Sequence, residues 1–180
     1  MSVGIDTIDV PPESIAEAKA HLRIEGENED AVIGRLIGAA IAACEAFTGT
    51  QLLIRNAREQ MPFGGDWRRL SLTPVQAIAA VIGVTADGAS LTLPAGSYTS
   101  EIDANGDGWV RVTHPAGAQR AIVQFSAGRA ETWGDLPEAL RQGIIRLAAH
   151  FYTHRDAADD GGPPAAVSAL WRPWRRMRLR

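Results

Sequence analysis

Apolar residues recur at helical spacing between residues 33 and 47, and this pattern constrains the fold more than any other feature of the sequence. The residues on the stripe are Ile33, Leu36, Ile37, Ala40, Ile41, Cys44 and Phe47. They follow the helical period of about 3.6 residues over about four turns, which predicts a helix that buries one face. Asn28 is suited to cap its start, and Gly49 is suited to close its end in the left-handed conformation. A long core helix is therefore expected between these two residues.

The remaining surface of this helix carries unusually small side chains. Gly34, Gly38, Ala39, Ala42 and Ala46 leave a face that a second helix could approach closely. A monomeric protein would normally cover such a face with charged side chains. We therefore predict that these five residues form a contact between subunits of a homo-oligomer.

Two other helices and a long region of short strands complete the predicted fold. A short helix capped by Ser14 is expected through about Leu22. A final helix capped by Asp135 is expected to start near Leu136-Pro137 and to pack on the core helix. Between the helices, β-branched and apolar segments alternate with glycine and proline turns, which predicts antiparallel strands. The predicted fold class is α+β, with a small antiparallel helical bundle, an inserted antiparallel β subdomain and an extended C-terminal tail. The helical body is assigned to residues 1–50 and 134–155, and the β insert to residues 51–133.

The C-terminal part of the chain differs in composition from the rest. Residues 156–166 are polar and rich in glycine and proline, which predicts a linker. The last nine residues contain five arginines and no acidic residue, although the whole chain has a net charge of -3. We interpret residues 167–180 as a basic aromatic tail that binds a partner. The residues predicted to make this contact are Trp171, Arg172, Trp174, Arg175, Arg176 and Arg178.

Several partners could suit such a tail. Tryptophan and arginine can stack on nucleic-acid bases, and a basic aromatic segment can also lie on a membrane surface. Pro173 interrupts a helix between the two tryptophans, which favours an extended peptide that docks in the groove of a protein. No membrane partner is expected, because Pro173 weakens the amphipathic pattern of the tail. No transmembrane helix is expected either, because the longest uncharged stretch, residues 70–86, contains Pro74 and Gln76. The N-terminal residues also lack the features of a secretion signal, so the protein is expected to begin in the cytoplasm.

No motif in the sequence predicts a metal site. Asp103-Ala-Asn-Gly-Asp-Gly108 matches the first six positions of a calcium-binding EF-hand loop, but the twelfth position is His114 instead of glutamate. The pair Asn105-Gly106 predicts a hairpin turn there. His150 and His154 are spaced to share a metal ion, yet no third ligand can be named. We therefore expect no metal and no cofactor.

The sequence also lacks the motifs of an enzyme. There is no Gly-x-Ser-x-Gly nucleophile motif and no glycine-rich phosphate loop. Cys44 lies on the apolar stripe of the core helix, where a small buried side chain is the simpler interpretation. We predict no catalytic residue.

Three stretches resemble the phage head-tail connector proteins of the gp6-like type, in particular the longer phiE125 gp8 branch. They are Ala18-Lys-Ala-His-Leu-Arg-Ile24 followed by Glu29-Asp30, then Ala43-Cys-Glu-Ala-Phe-Thr-Gly49, and finally Ala169-Leu-Trp-Arg-Pro-Trp-Arg-Arg-Met-Arg-Leu179. Such proteins occur in tailed phages and gene transfer agents. The order of helix pair, β insert, final helix and basic terminus also resembles that branch.

The resemblance implies a structural role. It implies a ring of identical subunits, commonly twelve, between the portal protein and the tail-side connector or stopper protein. DNA would pass through the central channel of the ring without sequence-specific binding. The protein would be made in the bacterial cytoplasm and would then reside in the neck of the virion or phage-like particle. The β insert departs from the short gp6-type proteins, which are almost wholly helical, so its role stays open. The alternative function is a nucleic-acid-binding accessory protein that acts through its Arg/Trp tail, and a metal-dependent enzyme comes third.

Overall fold

The chain folds into two compact units in a computed structural model that describes residues 2–94, 96–154 and 162–176. The β unit comprises Met1–Thr7 and Leu53–Arg129, and the helical unit comprises Ile8–Leu52 and Ala130–Arg180. The predicted α+β class, with an antiparallel β subdomain inserted into a helical body, is confirmed. One difference lies at the N-terminus, because the first seven residues join the β unit instead of the helical body.

The described residues of the helical unit form four α-helices. They are α1 (Pro12–Leu22), α2 (Asp30–Thr48), α3 (Glu138–Thr153) and α4 (Ala165–Trp171), with 3-10 turns at Trp133–Asp135 and Arg172–Trp174. Helix α2 packs against α1, α3 and α4. Its stripe of Ile33, Ile37, Ile41 and Cys44 is buried, as the helical period predicts. The helix closes at Gly49, whose φ of 70° is the left-handed conformation expected there.

Helix α2 is also long and apolar enough to cross a membrane by length and composition, with a mean hydropathy of 1.6. The core helix of a globular unit passes the same test. In this structure the isoleucine stripe of α2 is covered by the other helices of the unit, including Leu140 and Ile144 of α3, which are fully buried. The apolar character of α2 is thus accounted for by packing within the helical unit.

Within the part of the β unit that the structure describes, eight strands form two antiparallel sheets. The strands are β1 (Ser2–Ile5), β2 (Arg55–Pro62), β3 (Arg68–Arg69), β4 (Val75–Val84), β5 (Ser90–Thr92), β6 (Tyr98–Ile102), β7 (Gly108–Val112) and β8 (Arg120–Ala127). The larger sheet has the order β1-β2-β8-β4-β5, and the smaller has the order β3-β7-β6. Both sheets contribute to one apolar core, in which Val123 and Phe125 of β8 meet Val110 of β7.

Strand β1 was not anticipated from the sequence. It pairs with β2 in antiparallel register, with Val3 opposite Glu59. All four of its residues are exposed, so no alternation of buried and exposed side chains marks it in the sequence. It is recognisable only from the position of its partner strand.

The C-terminal segment is not the extended tail that the sequence predicted. Its described residues, 162–176, form α4 and the 3-10 turn that follows. Pro173 lies within that turn, beyond the last residue of α4, where its missing N–H breaks no helical hydrogen bond. Of the predicted linker, residues 156–161 lie outside the described part of the chain, and Pro164 directly precedes α4.

Candidate functional site

Trp171, one of the two predicted partner anchors, is a core residue of the helical unit. Its side chain is fully buried, and its ring centroid lies 5.8 Å from that of Phe47 on α2. The indole lies directly against Gly143 of α3, where an added Cβ atom would be only 2.1 Å from Nε1. The indole N–H points to the backbone oxygen of Leu140 at 3.5 Å. In this conformation Trp171 holds α4 on α3 and has no surface left for a partner.

Local hydrogen bonds form α4 around this anchor. The Ser168 N–H donates to the backbone oxygen of Pro164 at 3.0 Å, and its hydroxyl donates to that of Pro163 at 3.2 Å. Val167 is buried together with Trp171, so the two buried side chains of this short helix share one face. Packing therefore stabilises a helix that would be too short to persist alone.

The basic residues after Trp171 lie beside the C-terminal end of α2. The Arg175 guanidinium is 5.7 Å from the centre of the Phe47 ring, and the Arg176 backbone N–H donates to the Thr48 oxygen at 2.8 Å. That bond satisfies a carbonyl group left over at the end of α2. Positive charge is also favourable there, because a helix carries partial negative charge at its C-terminus.

The predicted tail contact is thus reduced to a smaller exposed surface. Arg172 and Arg175 are exposed, and Trp174 and Arg176 are half-buried. Arg178 lies outside the described residues. We call Arg172, Trp174, Arg175 and Arg176 the basic surface.

The five small residues predicted as a subunit contact fall on two different faces of α2. Ala39, Ala42 and Ala46 are exposed on one face. Gly34 and Gly38 are half-buried, because Ile15 and Val10 of the same chain lie over them, each 3.6 Å from where a Cβ would be. These two glycines therefore serve packing within the subunit, and the three alanines are the part of the prediction that remains available to a neighbour.

The turn that resembles a calcium loop is a hairpin turn. Strands β6 and β7 pair with Ile102 opposite Gly108, which confirms the predicted hairpin. The Asp103 carboxylate accepts hydrogen bonds from the N–H groups of Asn105 and Asp107 at 2.8 and 2.9 Å, and from the Trp109 indole at 3.1 Å. Both carboxylate oxygens of Asp103 therefore accept hydrogen bonds from within the hairpin and stabilise its turn.

Other candidate groups do not assemble into a reactive site. The rings of His150 and His154 stack with centroids 4.3 Å apart. Within residues 2–94, 96–154 and 162–176, no group of three or more histidine, cysteine or acidic side chains could hold a metal ion. Burial raises the pKa of the Cys44 thiol, and the neighbouring Glu45 carboxylate raises it further, so the thiolate needed for nucleophilic attack is disfavoured.

Sequence and structure comparisons identify relatives of this chain. Residues 12–86, which span α1, α2 and strands β2 to β4, match the model of the phage gp6-like head-tail connector protein family. No curated protein sequence matches the chain.

Solved structures match it over its full length. A chain in the neck of an empty gene transfer agent (GTA) particle, computed with C6 symmetry, superposes with a TM-score of 0.79 and 28% identity. A chain in the virion of a native GTA particle gives 0.77 and 30% identity, and one in the native neck computed with C12 symmetry gives 0.76 and 28%. Each match covers 100% of this chain and 98% of the other. The chain therefore belongs to the phage gp6-like head-tail connector family, a family of structural proteins and not of enzymes.

Proposed function

We propose that this protein is the adaptor subunit of the neck of a GTA or related phage-like particle, where twelve copies form a ring between the portal protein and the tail-side connector. The observation that carries the proposal is the full-length match to chains of GTA necks computed with C6 and C12 symmetry. Both symmetries are compatible with a ring of twelve subunits. The match covers 100% of this chain and 98% of the other, so it extends over both units and not over one of them alone.

The basic surface is the proposed contact with the portal protein. Arginine forms paired hydrogen bonds with carboxylates, and tryptophan and arginine are the residues most enriched at the centres of protein interfaces. The anchored turn after α4 presents Arg172 and Arg175 from a fixed position, which lowers the entropy lost on binding. Trp171 supports this surface from inside the subunit and is not itself part of the contact.

The exposed alanines of α2 are the proposed contact with the neighbouring subunit. Ala39, Ala42 and Ala46 project little beyond the helix backbone, so a neighbouring element can approach closely. The three alanines themselves carry no charge that would have to be desolvated, and the charged residue of this face is Arg35, one turn before Ala39. The DNA channel follows from the ring, and a net charge of -3 would let DNA pass without adhering.

Pull-down of the portal protein encoded with this chain tests the proposal. We expect the wild-type chain to capture portal, and the Arg172→Glu, Arg175→Glu double variant to bind roughly tenfold more weakly or less, because reversed charges meet acidic groups. Arg146→Glu, at an exposed position on α3, is the matched control and should bind normally.

The same variants separate the two functions considered. Normal portal capture by the double variant would contradict the assignment of the basic surface. The alternative, a nucleic-acid-binding accessory protein, predicts a different result. The wild-type chain would capture no portal but would bind DNA in a salt-sensitive manner, and the double variant would lose that DNA binding. Native mass measurement of the neck should give twelve copies.

A further inference from the structure

Strand β1 is an open edge of the larger sheet that lacks the features by which proteins prevent pairing between sheet edges. Charged side chains, proline and very short strands are the usual devices. Strand β3 consists of Arg68–Arg69, β5 has only three residues, and β6 carries Glu101. Strand β1 has four residues, Ser-Val-Gly-Ile, with neither charge nor proline. Such an edge is a ready site for the addition of a further strand.

The backbone groups of Val3 and Ile5 face outward from this edge. The Asp6 N–H donates to the Asn56 oxygen, opposite it at the end of β2, at 3.0 Å. Because backbone groups alternate in direction along a strand, those of Val3 and Ile5 point away from β2. The side chains of these two residues are 38% and 37% exposed. The edge therefore offers hydrogen-bonding groups together with apolar surface.

We propose that the free protein forms a dimer in which β1 of one copy pairs antiparallel with β1 of a second copy. A two-fold axis at Gly4 places Val3 opposite Ile5 of the second copy, and Ile5 opposite Val3 of the second copy. The outward backbone groups then exchange hydrogen bonds, and the exposed apolar side chains meet in cross-strand pairs. The segment is thus complementary to itself, as a two-fold contact requires.

Asp6 and Arg58 add charge complementarity to this register. In the dimer, Asp6 of the second copy lies opposite Ser2, on the side of the sheet to which Arg58 projects. Gly4 lies between them and has no side chain to separate the two charges. Both Asp6 and Arg58 are exposed, and neither forms an ion pair among the described residues. A groove of about 190 Å³ receives the carboxylate there, lined by Ser2, Gly4, Arg58, Gln60 and Ile122.

No carboxylate on this side of β2 or β8 opposes the contact. The charged side chains that these two strands place on this side are Arg58 and Arg120. Glu59 is their one acidic residue, and it is fully buried on the opposite side of the sheet. An incoming carboxylate therefore meets a cation and an amide without repulsion from the strands beneath it.

The dimer is a state of the subunit before assembly. A ring built by one rotation axis joins its neighbouring copies by unlike surfaces and contains no two-fold contact between them. The inference therefore does not rest on the proposed ring, and it gives the β unit a role in association of the free protein.

Cysteine cross-linking of the full-length free protein tests the register. Gly4 faces Gly4 of the second copy as a pair without mutual hydrogen bonds, in which Cα atoms lie about 4.5 Å apart, close enough for a disulfide. An added Cβ at Gly4 meets nothing within 4 Å. Gly4→Cys should therefore give disulfide-linked dimers on mild oxidation with copper phenanthroline, while the buried Cys44 stays reduced.

Ser2→Cys is the matched control for this experiment. It lies on the same side of β1, but in this register the two introduced thiols are offset by about four residues, or about 14 Å, along the strands. The Ser2→Cys variant should therefore stay without a cross-link. Equal cross-linking of the two variants would overturn the register.

Sedimentation equilibrium between about 1 μM and 1 mM measures the association without a cross-link. We expect wild-type dimers that dissociate on dilution. Val3→Pro should weaken them roughly tenfold or more, because proline removes an outward N–H and no bond to β2. Arg58→Glu should weaken them roughly tenfold, since the two-fold axis doubles the repulsion, and adding Asp6→Arg should restore them. Arg120→Glu, exposed on the same sheet, is the control and should dimerise normally.

Three results would contradict the β1 contact. They are a monomeric wild-type chain at about 1 mM, unchanged dimers of Val3→Pro, and failure of Asp6→Arg to rescue Arg58→Glu. Association beyond dimers that Val3→Pro leaves intact would also overturn it, because another surface would then be responsible. The proposed function is tested separately by portal capture, so the failure of either proposal is recognisable by itself.

Discussion

The indole of Trp171 occupies the space that a side chain at Gly143 would fill. An added Cβ at position 143 would lie 2.1 Å from the indole nitrogen, far inside contact distance. Glycine within a helix costs about 1 kcal/mol relative to alanine. In α3 that cost is offset by room for the indole of Trp171, which links α4 to the core of the helical unit.

Gly143→Ala should destabilise the protein although alanine favours helix formation. The methyl group collides with a buried ring, and overpacking of this kind costs about 1–3 kcal/mol. Urea unfolding of the isolated chain measures it as a lower midpoint. Gly34→Ala is the matched control, because its Cβ would meet Ile15 at an ordinary 3.6 Å, and it should be neutral or stabilising. Equal stability of the two variants would contradict the packing of Trp171 on Gly143.

The two tryptophans of the C-terminal segment should respond oppositely to substitution. Trp171→Ala removes a fully buried ring and should lower the free energy of unfolding by about 3–5 kcal/mol. Trp174→Ala, at a half-buried position, should cost about 1 kcal/mol or less and should weaken portal capture instead. Thermal unfolding and pull-down on both variants test this. A stable Trp171→Ala variant that no longer binds portal would restore the role that the sequence alone suggested.

The helices and the hairpin were predictable because their signals are local. The stripe of α2 repeats over four turns, and Asn105-Gly106 specifies its turn by conformational preference alone. Strand β1 and helix α4 were missed because their evidence is tertiary. Strand β1 exists through pairing with β2, and α4 exists through a cavity over Gly143, which is 28 positions before Trp171 in the sequence.

The candidate surfaces were predictable only in part for the same reason. Small side chains on α2 were visible in the sequence, but which of them face solvent depends on the packing of Val10 and Ile15 over Gly38 and Gly34. Pro173 was interpreted as a helix breaker, yet it lies where the helix has already ended.

Asp103 should stabilise the β6–β7 hairpin without binding calcium. Its carboxylate accepts three N–H groups, so Asp103→Ala should lower stability by about 1–3 kcal/mol. Calorimetric titration should give no heat of calcium binding at micromolar concentrations. Calcium-dependent stabilisation of the wild-type chain that disappears in the variant would contradict this.

Cys44 should resist alkylation in the folded protein. Burial raises the pKa of its thiol well above the ordinary value, and Glu45 adds to the effect, so the thiolate is scarce at pH 8. The unfolded chain has no such shift, so its thiol ionises at a lower pH. Iodoacetamide labelling followed by mass measurement should be slow in buffer and fast in urea. Rapid labelling of the folded chain would show that α2 opens or that the thiol is accessible.

Ala42→Arg should block ring assembly without unfolding the subunit. Ala42 is exposed in the middle of the alanine face of α2, so the isolated chain should tolerate arginine with a change in stability within about 0.5 kcal/mol. In a ring the same arginine would have to be desolvated where a neighbouring element packs closely, and a charge buried without a partner is strongly unfavourable. The measurement is the number of copies per particle, together with thermal unfolding of the free subunit. Ala86→Arg, in the exposed turn between β4 and β5, is the matched control and should assemble as wild type. Particles of Ala42→Arg with complete rings would exclude the alanine face as a subunit contact.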